Sequence, residues 1–209
     1  MNVNVASVVT IPVPENVEAL IFRLAPPRER FSDEEFAEYC AEYPELRIEM
    51  SSRGEMIIMP PVVSEGSKRN FILTTRFGAW ALADGTGVGF ESSAGFTLLN
   101  GAKRSPDASW ILRERWEALT KKERNEFAPI CPDFVVELRS KSDRLSTLRE
   151  KMTEYIANGA QLGWLLDPLE EKIHIYRPNP PVEVLDRPTD ISGEPLLSGF
   201  RLKLDGILY

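Results

Sequence analysis

The stretch from residue 132 to residue 168 constrains the fold more than any other part of the chain. It opens with PDFVVEL, whose apolar and β-branched residues predict a buried strand. A helix is predicted from Thr147 to Asn158, with a capping box formed by Thr147 and Glu150 and a stop at Asn158-Gly159. The strand GWLLD follows. Strands that alternate with a helix in this way indicate a sheet with helices packed on it.

Similar signals continue on both sides of this stretch. One helix is predicted at FSDEEFAEYCAEYP with Ser32 as its N-cap, and another over 64–85, where Leu73, Phe77 and Trp80 share a face. The remaining apolar runs read as strands: LRIEM, EMIIM, GVGFES, GFTLL, DASWIL, KIHIYRP, VEVLDRP and FRLKLDGIL. The charged segment RERWEALTKKERNEFAP is predicted to be a helical excursion at the surface. This order favours an α/β fold whose mixed sheet is flanked by helices.

The Pro-rich, β-branched first 30 residues predict an extended arm (1–30), followed by one domain over 31–209. The chain has no apolar run long enough to span a membrane and no basic start typical of a signal peptide. We therefore expect a soluble, cytoplasmic protein without membrane association.

Charge and cysteine content exclude several classes of protein. With 25 Lys plus Arg against 32 Asp plus Glu, the formal charge is −7, which argues against a surface devoted to nucleic acid. A local basic strip beside an acidic metal cluster is still compatible with that total. The two cysteines lie too far apart for a zinc ribbon, and the single histidine, His174, leaves little room for a Ser-His-Asp or Cys-His mechanism.

One carboxylate stands inside the apolar strand that follows Pro132. The strand period of two places Asp133, Val135, Glu137 and Arg139 on one face. A buried carboxylate is costly unless it is paired or bound to a metal. Glu137 therefore either forms an ion pair, with Arg139 or with a neighbouring helix, or it holds a cation.

Asp107 follows Pro106 at the entry of the apolar stretch DASWIL. An aspartate in that position is commonly a turn or cap residue. If the two strands are neighbours, however, Asp107 and Glu137 converge at one edge of the sheet. Two carboxylates with waters suit Mg²⁺ or Mn²⁺, and a divalent cation removes the repulsion between them.

Lys151 lies on the flank of the predicted buried stripe formed by Leu148, Met152, Tyr155 and Ile156. Such a lysine either extends to solvent or turns its ammonium toward Glu137, because the helix follows that strand. In the second case it would position a water molecule and balance negative charge on a phosphorane-like state.

The three segments PD (106–107), PDFVVELRSKSDR and LREKMTEYIANGAQLGWLLDP resemble the Uma family of restriction-endonuclease-like bacterial proteins, within the PD-(D/E)XK nuclease superfamily. The resemblance extends from about Phe31 through the C-terminal strands. It implies a restriction-endonuclease-like core with additional N- and C-terminal β segments. Asp107 and Glu137 match the metal-binding acids, and the backbone carbonyl of Leu138 matches a further ligand. Arg139 stands where the superfamily pattern has lysine, and Lys151 matches a lysine that has moved to the following helix.

Two further acids are candidates because of the resemblance. Glu65 opens a core helix where relatives often carry a glutamate, although it would serve equally as a helix-dipole or capping residue. Glu49 matches a recurrent family glutamate and is expected either beside the site or paired with Arg53 or Arg47. Asp133 is expected in a turn role, and His174 at the surface or in packing.

The resemblance and the residues together imply a metal-dependent endonuclease acting on DNA with Mg²⁺ or Mn²⁺ as cofactor. Asp107 and Glu137 would hold the ion, Lys151 would position the nucleophile, and Arg139 would clamp phosphate. The alternative is an inactive nuclease-fold protein that acts as a binding or regulatory module, and a third option is hydrolysis of small phosphate esters. A homodimer is expected because cutting two strands suits a two-fold pair. Candidate phosphate contacts are Lys68, Arg69, Arg76, Arg139, Lys141, Arg144 and Arg149.

Overall fold

The computed structural model describes residues 18–24, 28, 30–179 and 181–209. Five helices occur in these ranges: α1 (Asp33–Glu42), α2 (Ser64–Asp84), α3 (Arg113–Glu117), α4 (Lys121–Arg124) and α5 (Leu145–Ala157). The strands up to the middle of the chain are β1 (Leu20–Phe22), β2 (Arg47–Met50), β3 (Met56–Met59), β4 (Gly87–Glu91), β5 (Phe96–Thr97), β6 (Lys103–Arg104) and β7 (Ala108–Leu112). The later strands are β8 (Phe134–Leu138), β9 (Leu162–Asp167), β10 (Lys172–Tyr176), β11 (Glu183–Asp186), β12 (Asp190–Ser192) and β13 (Arg201–Lys203).

The strands form a central sheet, a second sheet and one hairpin. The central sheet has the order β11-β10-β9-β8-β7-β4, and the second sheet has the order β1-β3-β2-β6-β5. In the central sheet β8 and β9 run parallel while the other neighbours run antiparallel, so the predicted mixed sheet is confirmed. The second sheet is antiparallel, and β12 pairs with β13 alone.

Alternate side chains of β8 divide the core into two layers. Phe134 and Val136 pack with α2 and with the carboxyl-terminal segment on one face of the central sheet. Val135 packs with α5 on the opposite face, against Met152 and Tyr155 of the helix. Glu137 follows the same alternation and therefore points to the α5 face.

Helix α5 lies close against the central sheet because β9 carries a glycine beneath it. A Cβ built on Gly163 would come within 2.4 Å of the terminal methyl carbon of Met152. The missing side chain thus lets the buried stripe of α5 reach the strands, which brings the whole helix near the end of β8.

The predicted ends of the helices agree with the structure except at one place. The Ser32 capping box is present, and α2 ends at Gly85 in the left-handed conformation. Helix α5, however, begins at Leu145 after Arg144, and no side chain caps it. The prediction that Thr147 is the N-cap is therefore wrong. The loop before α5 folds on itself, with the Ser140 amide donating to Asp143 Oδ2 at 2.7 Å, and this starts the helix earlier.

The segments at both ends of the chain add β structure. Residues 1–17, 25–27 and 29 of the predicted arm lie outside the described residues. Within the arm, β1 pairs with β3 and so extends the second sheet. At the other end, β11 joins the edge of the central sheet and β12–β13 forms a hairpin. Within the described parts of the chain, every helix is too short or too polar to traverse a bilayer.

Candidate active site

Asp107 and Glu137 face each other across two neighbouring strands. Ala108 of β7 pairs with Val136 of β8, so the antiparallel register places Asp107 opposite Glu137 at the end of the ladder. Both side chains therefore lie on the α5 face of the sheet. The Leu138 amide donates to Asp107 Oδ2 at 2.8 Å, which fixes that carboxylate at the strand end. The structure thus brings together the two acids that the sequence singled out.

Lys151 reaches this pair from α5. Its Nζ lies 2.9 Å from Glu137 Oε1 and 2.8 Å from Glu49 Oε1. Only 12% of its side chain is exposed, so it does not extend to solvent. The helix brings Lys151 there because Leu148 and Met152, which flank it, are anchored in the core.

Glu49 is the most enclosed of these acids, with 3% of its side chain exposed. Its Oε1 accepts from the Ser105 amide at 2.9 Å and from Lys151, and its Oε2 is 3.1 Å from Arg104. Ser105 lies where the chain passes from β6 of the second sheet into β7 of the central sheet. Glu49 therefore joins the two sheets as well as contacting Lys151.

Of the two alternatives for Glu49, the structure shows the position beside the site and not an ion pair with Arg53 or Arg47. Arg53 binds Glu55, since both belong to the turn region of the β2–β3 hairpin. Arg47 shares a face of β2 with Glu49 but lies 3.6 Å from Asp107 instead. Closeness within the β2–β3 hairpin does not determine these ion pairs, because Glu49 faces residues of β6 and α5 that come much later in the chain.

Behind Glu49, a second group of polar side chains holds Arg104 in place. Arg104 Nε donates to Glu154 Oε2 at 2.6 Å, and Glu154 Oε1 accepts from Asn100 at 2.9 Å. Asn158 at the end of α5 accepts from the Asn100 amide at 2.9 Å. Arg104 is therefore fixed between two glutamates, one from β2 and one from α5.

The pKa values of three carboxyl groups in the site are shifted, two upward and one downward. Burial raises the pKa of Glu137 to about 7; Lys151 opposes this effect, while the charges of Asp107 and Glu49 reinforce it. Burial also raises the pKa of Asp107, against the opposing influence of Arg47 and of the Leu138 amide. For Glu49, burial is outweighed by Lys151 and Arg104, which hold its pKa at about 2.

Lys151 and Tyr155 keep their protons in this environment. Burial would lower the pKa of Lys151, but the charges of Glu137 and Glu49 outweigh burial and raise it. Burial raises the pKa of Tyr155 well above its ordinary value, and the Tyr155 hydroxyl donates to Glu137 Oε1 at 3.1 Å. Lys151 is thus a fixed cation and not a base.

Burial disfavours the ionised forms of Asp107 and Glu137 and raises the pKa of both, and for Glu137 the nearby acids add to this effect. That condition fits a divalent cation, since Mg²⁺ commonly binds one or two carboxylates and keeps several waters. In the described ranges there is no group of three or more His, Cys, Asp or Glu side chains placed to hold a metal ion. A cation here would therefore depend on the two carboxylates, a backbone carbonyl such as that of Leu138, and water.

A cavity of about 630 Å³ gives access to these groups. Asp107, Glu137, Leu138 and Lys151 all line it, together with Arg47, residues 59–63 before α2 and the loop 140–143. A volume of this order accommodates a small ligand or part of a larger one. The acids and the lysine are therefore reachable from outside despite their burial.

Arg139 lines the same cavity, but its charge is largely committed to other residues. Its guanidinium is 2.7 Å from Asp167 Oδ2 and 3.7 Å from Glu170, and Asp167 is fully buried. The parallel pairing of Leu138 with Leu166 brings Arg139 beside Asp167 at the strand ends. In this arrangement Arg139 neutralises a buried acid.

We predict that Asp167→Leu lowers the free energy of unfolding by about 3 kcal/mol, because it leaves the poorly exposed Arg139 without its main partner. Urea unfolding followed by fluorescence measures this change. The control is Glu170→Leu, which removes the more distant and more exposed acid and should cost less than about 1 kcal/mol. Equal losses in the two variants would contradict the role given to Asp167.

Glu65 lies apart from the other candidate acids. More than half of its side chain is exposed (55%), and it pairs with Lys68 and Arg69 along the first turns of α2. These contacts lower its pKa, with the charge of Lys68 as the main cause. Glu65 is not among the residues that line the cavity, so its position agrees with the helix-terminus alternative.

Other candidates also have structural partners. Asp133 Oδ2 accepts from the Leu112 amide at 2.9 Å, and its Oδ1 accepts from Arg115 at 2.5 Å. These partners lie at the end of β7 and in α3, so Asp133 joins distant segments and the expected turn role is wrong. His174 is buried in β10 and thus packs in the core. Arg69 and Arg76 donate to backbone carbonyls of the carboxyl-terminal segment, which leaves them less available to phosphate.

Sequence reasoning missed Arg104 and the second function of Tyr155. Tyr155 was expected only in the buried stripe, yet its hydroxyl contacts Glu137. Arg104 lies three residues before Asp107, in KRSPD, and this proximity of a basic residue to the PD pair was the available signal. Its partners Glu49 and Glu154 are too remote in sequence for that signal to identify them.

A family model, Uma2, described as "Putative restriction endonuclease", matches residues 33–205. The chain is also similar to a crystal structure from Anabaena variabilis described as "a putative nuclease belonging to DUF820", with a TM-score of 0.66 and 21% identity over 78% of this chain and 90% of that one. No curated protein matches the chain.

Proposed function

Because the chain belongs to the Uma2 family of restriction-endonuclease-like proteins, we propose that it is a divalent-cation-dependent nuclease that hydrolyses phosphodiester bonds of DNA. The observation that carries the proposal is the contact of Lys151 Nζ with Glu137 Oε1 at 2.9 Å, beside Asp107. A cation-binding carboxylate pair with an adjacent ammonium is suited to phosphoryl transfer, where negative charge accumulates on phosphate oxygens.

In this proposal, Asp107, Glu137 and the carbonyl of Leu138 would hold Mg²⁺ or Mn²⁺. Such an ion would supply a water of lowered pKa and offset phosphate charge. An oxygen of water forms a bond to phosphorus, the bond from phosphorus to one ester oxygen breaks, and that oxygen takes up a proton as the water loses one. Lys151, which stays protonated, would orient the water and stabilise the charge that develops.

Glu49 and Tyr155 would support this chemistry without taking part in bond making. Both oxygens of Glu49 are occupied by Lys151, Ser105 and Arg104, so its function would be to fix Lys151. Tyr155 would orient Glu137 through its hydroxyl. Arg139 would stabilise the end of β8, since Asp167 already binds its guanidinium.

The proposal also covers how the protein recognises DNA and its oligomeric state. The net charge of −7 predicts weak binding to bulk DNA at physiological salt. Recognition would therefore depend on the cavity and on basic residues near it, such as Lys141. A homodimer would place two such sites on opposite strands of a duplex.

The test is cleavage of supercoiled plasmid with Mg²⁺ or Mn²⁺, with and without EDTA. We expect nicking that EDTA abolishes and that Glu137→Gln reduces by about a thousandfold, because the variant loses one carboxylate of the cation site. The matched control is Glu65→Gln, which alters an exposed glutamate outside the cavity and should retain activity.

Two outcomes would contradict the proposal. Nicking that survives both Glu137→Gln and Lys151→Ala would place the chemistry elsewhere. DNA binding without cleavage, under any divalent cation, would favour the inactive binding module instead. Thermal melting of each variant separates loss of chemistry from loss of folding.

A further inference from the structure

Arg47 adds a second cationic group to the cavity, close to the carboxylate of Asp107. It begins β2 and lies two positions before Glu49, so the two share a face of the strand. Its guanidinium is 3.6 Å from Asp107 Oδ1, and about a third of its side chain is exposed (34%). Arg47 also lines the cavity that contains Glu137 and Lys151.

Arg47 is held less firmly than the other cations around the site. Lys151 has two acids within 2.9 Å, and Arg139 has Asp167 at 2.7 Å. The Arg47–Asp107 separation exceeds hydrogen-bond distance. Among the described residues we find no hydrogen bond from the Arg47 guanidinium to an acceptor. Its N–H donors are therefore available to a ligand that enters the cavity.

Arginine cannot relieve a conflict of charge by losing its proton. If Asp107 held a divalent cation, the nearby guanidinium would repel that cation, and it would also lose the carboxylate as its partner. A phosphodiester in the cavity offers two non-bridging oxygens, which match the planar fork of a guanidinium. Arg47 would thus weaken cation binding at Asp107 when no DNA is present, and it would strengthen the binding of a phosphodiester once the cation is in place.

We propose that Arg47 has two alternative partners: the Asp107 carboxylate in the cation-free protein, and a phosphate oxygen of the DNA backbone when Asp107 holds a divalent cation. Under this proposal, the phosphate-binding arginine of the site is Arg47 and not Arg139. This inference rests on the proposed nuclease function. It requires that removing Arg47 change cation affinity and DNA affinity in opposite directions, which loss of a merely structural arginine would not do.

The experiment compares Arg47→Ala with Arg47→Lys and with Arg53→Ala. Arg53 belongs to the same β2–β3 hairpin, is 76% exposed and pairs with Glu55, so its removal deletes the same charge outside the cavity. Isothermal titration with Mn²⁺ alone measures cation affinity without DNA. Plasmid cleavage at saturating Mn²⁺ measures KM and kcat, and thermal melting verifies folding.

We expect Arg47→Ala to tighten Mn²⁺ binding about fivefold, because a nearby positive charge is removed. We also expect KM for DNA to rise about tenfold with a smaller change in kcat, since a charge-assisted hydrogen bond to substrate is lost. Arg47→Lys should retain wild-type Mn²⁺ affinity, because it keeps the charge, but recover only part of the DNA affinity. Arg53→Ala should change neither quantity more than about twofold.

The possible results distinguish failure of the Arg47 proposal from failure of the proposed nuclease function. Unchanged or weaker Mn²⁺ affinity in Arg47→Ala, or an unchanged KM, overturns the exchange of partners even if the wild type is an active nuclease. A wild type that cleaves no DNA refutes the nuclease and the phosphate partner, although tighter Mn²⁺ binding by Arg47→Ala would still show competition for Asp107. A wild type that binds no Mn²⁺ overturns both.

Discussion

Replacing Lys151 by methionine is expected to lower the free energy of unfolding by about 3 kcal/mol at pH 8. The variant keeps the length of the side chain but leaves Glu49 and Glu137 without the cation that lies 2.8 and 2.9 Å from them. Removing one member of a buried ion pair is costly because the remaining charge stays desolvated. Urea unfolding curves at several pH values measure the loss.

The loss should become smaller as the pH falls. Glu137 has a pKa of about 7 with Lys151 present, and without that ammonium its pKa rises further. Below pH 6 the Glu137 carboxyl is therefore neutral in the variant, and the buried negative charge that lost its cation disappears. Glu49 keeps Arg104 as a partner at every pH considered.

A matched control is Lys172→Met, which removes a half-exposed lysine paired with Glu170 at 3.3 Å. We expect that change to lower the free energy of unfolding by less than about 1 kcal/mol. The loss should not become smaller as the pH falls. A loss of similar size in both variants, or one that grows toward low pH, would contradict the assignment of Lys151 as the central cation.

The affinity for Mn²⁺ should fall as the pH drops below about 7, by up to about tenfold per pH unit. The sign follows from Glu137, whose raised pKa means that it carries a proton at lower pH, whereas a carboxylate must be ionised to bind the ion. Above pH 8 the proton is already gone and affinity should become flat. Asp107 contributes in the same direction because burial also raises its pKa.

Isothermal titration in buffers of different ionisation enthalpy measures the protons released on binding. We expect about one proton at pH 6 and none above pH 8. Glu137→Gln should bind Mn²⁺ weakly and with less pH dependence, whereas Glu65→Gln should match the wild type, since Glu65 lies outside the cavity. Equal Mn²⁺ affinity at pH 6 and pH 8 would exclude Glu137 as the ligand that titrates.

The part of the site that sequence predicts well is local in the chain. Glu137 and Lys151 are separated by one loop, so the strand period and the helical stripe suffice to turn both toward one another. Asp107 required the further assumption that β7 and β8 are neighbours, and the pairing of Ala108 with Val136 satisfies it. The mixed sheet and helix α2 were likewise predictable from periodicity.

Contacts set by the docking of the two sheets were not predictable. Glu49 finds Arg104 and Ser105 only because β2 and β6 lie side by side at the crossing into β7. The wrong cap at Thr147 has a similar origin, because the loop at 140–143 decides where α5 begins. Arg139 was expected to bind phosphate, but the parallel register with β9 gives it Asp167.

The contact between Glu49 and Lys151 also has a consequence for the order of events during synthesis. It joins residues that are 102 positions apart, and the chain between them includes strands of both sheets. Contacts with such long sequence separation form late, after the intervening elements have packed. A nascent chain therefore keeps Glu49 apart from Lys151 until α5 has left the ribosome, so the charged centre forms only after synthesis has passed residue 157.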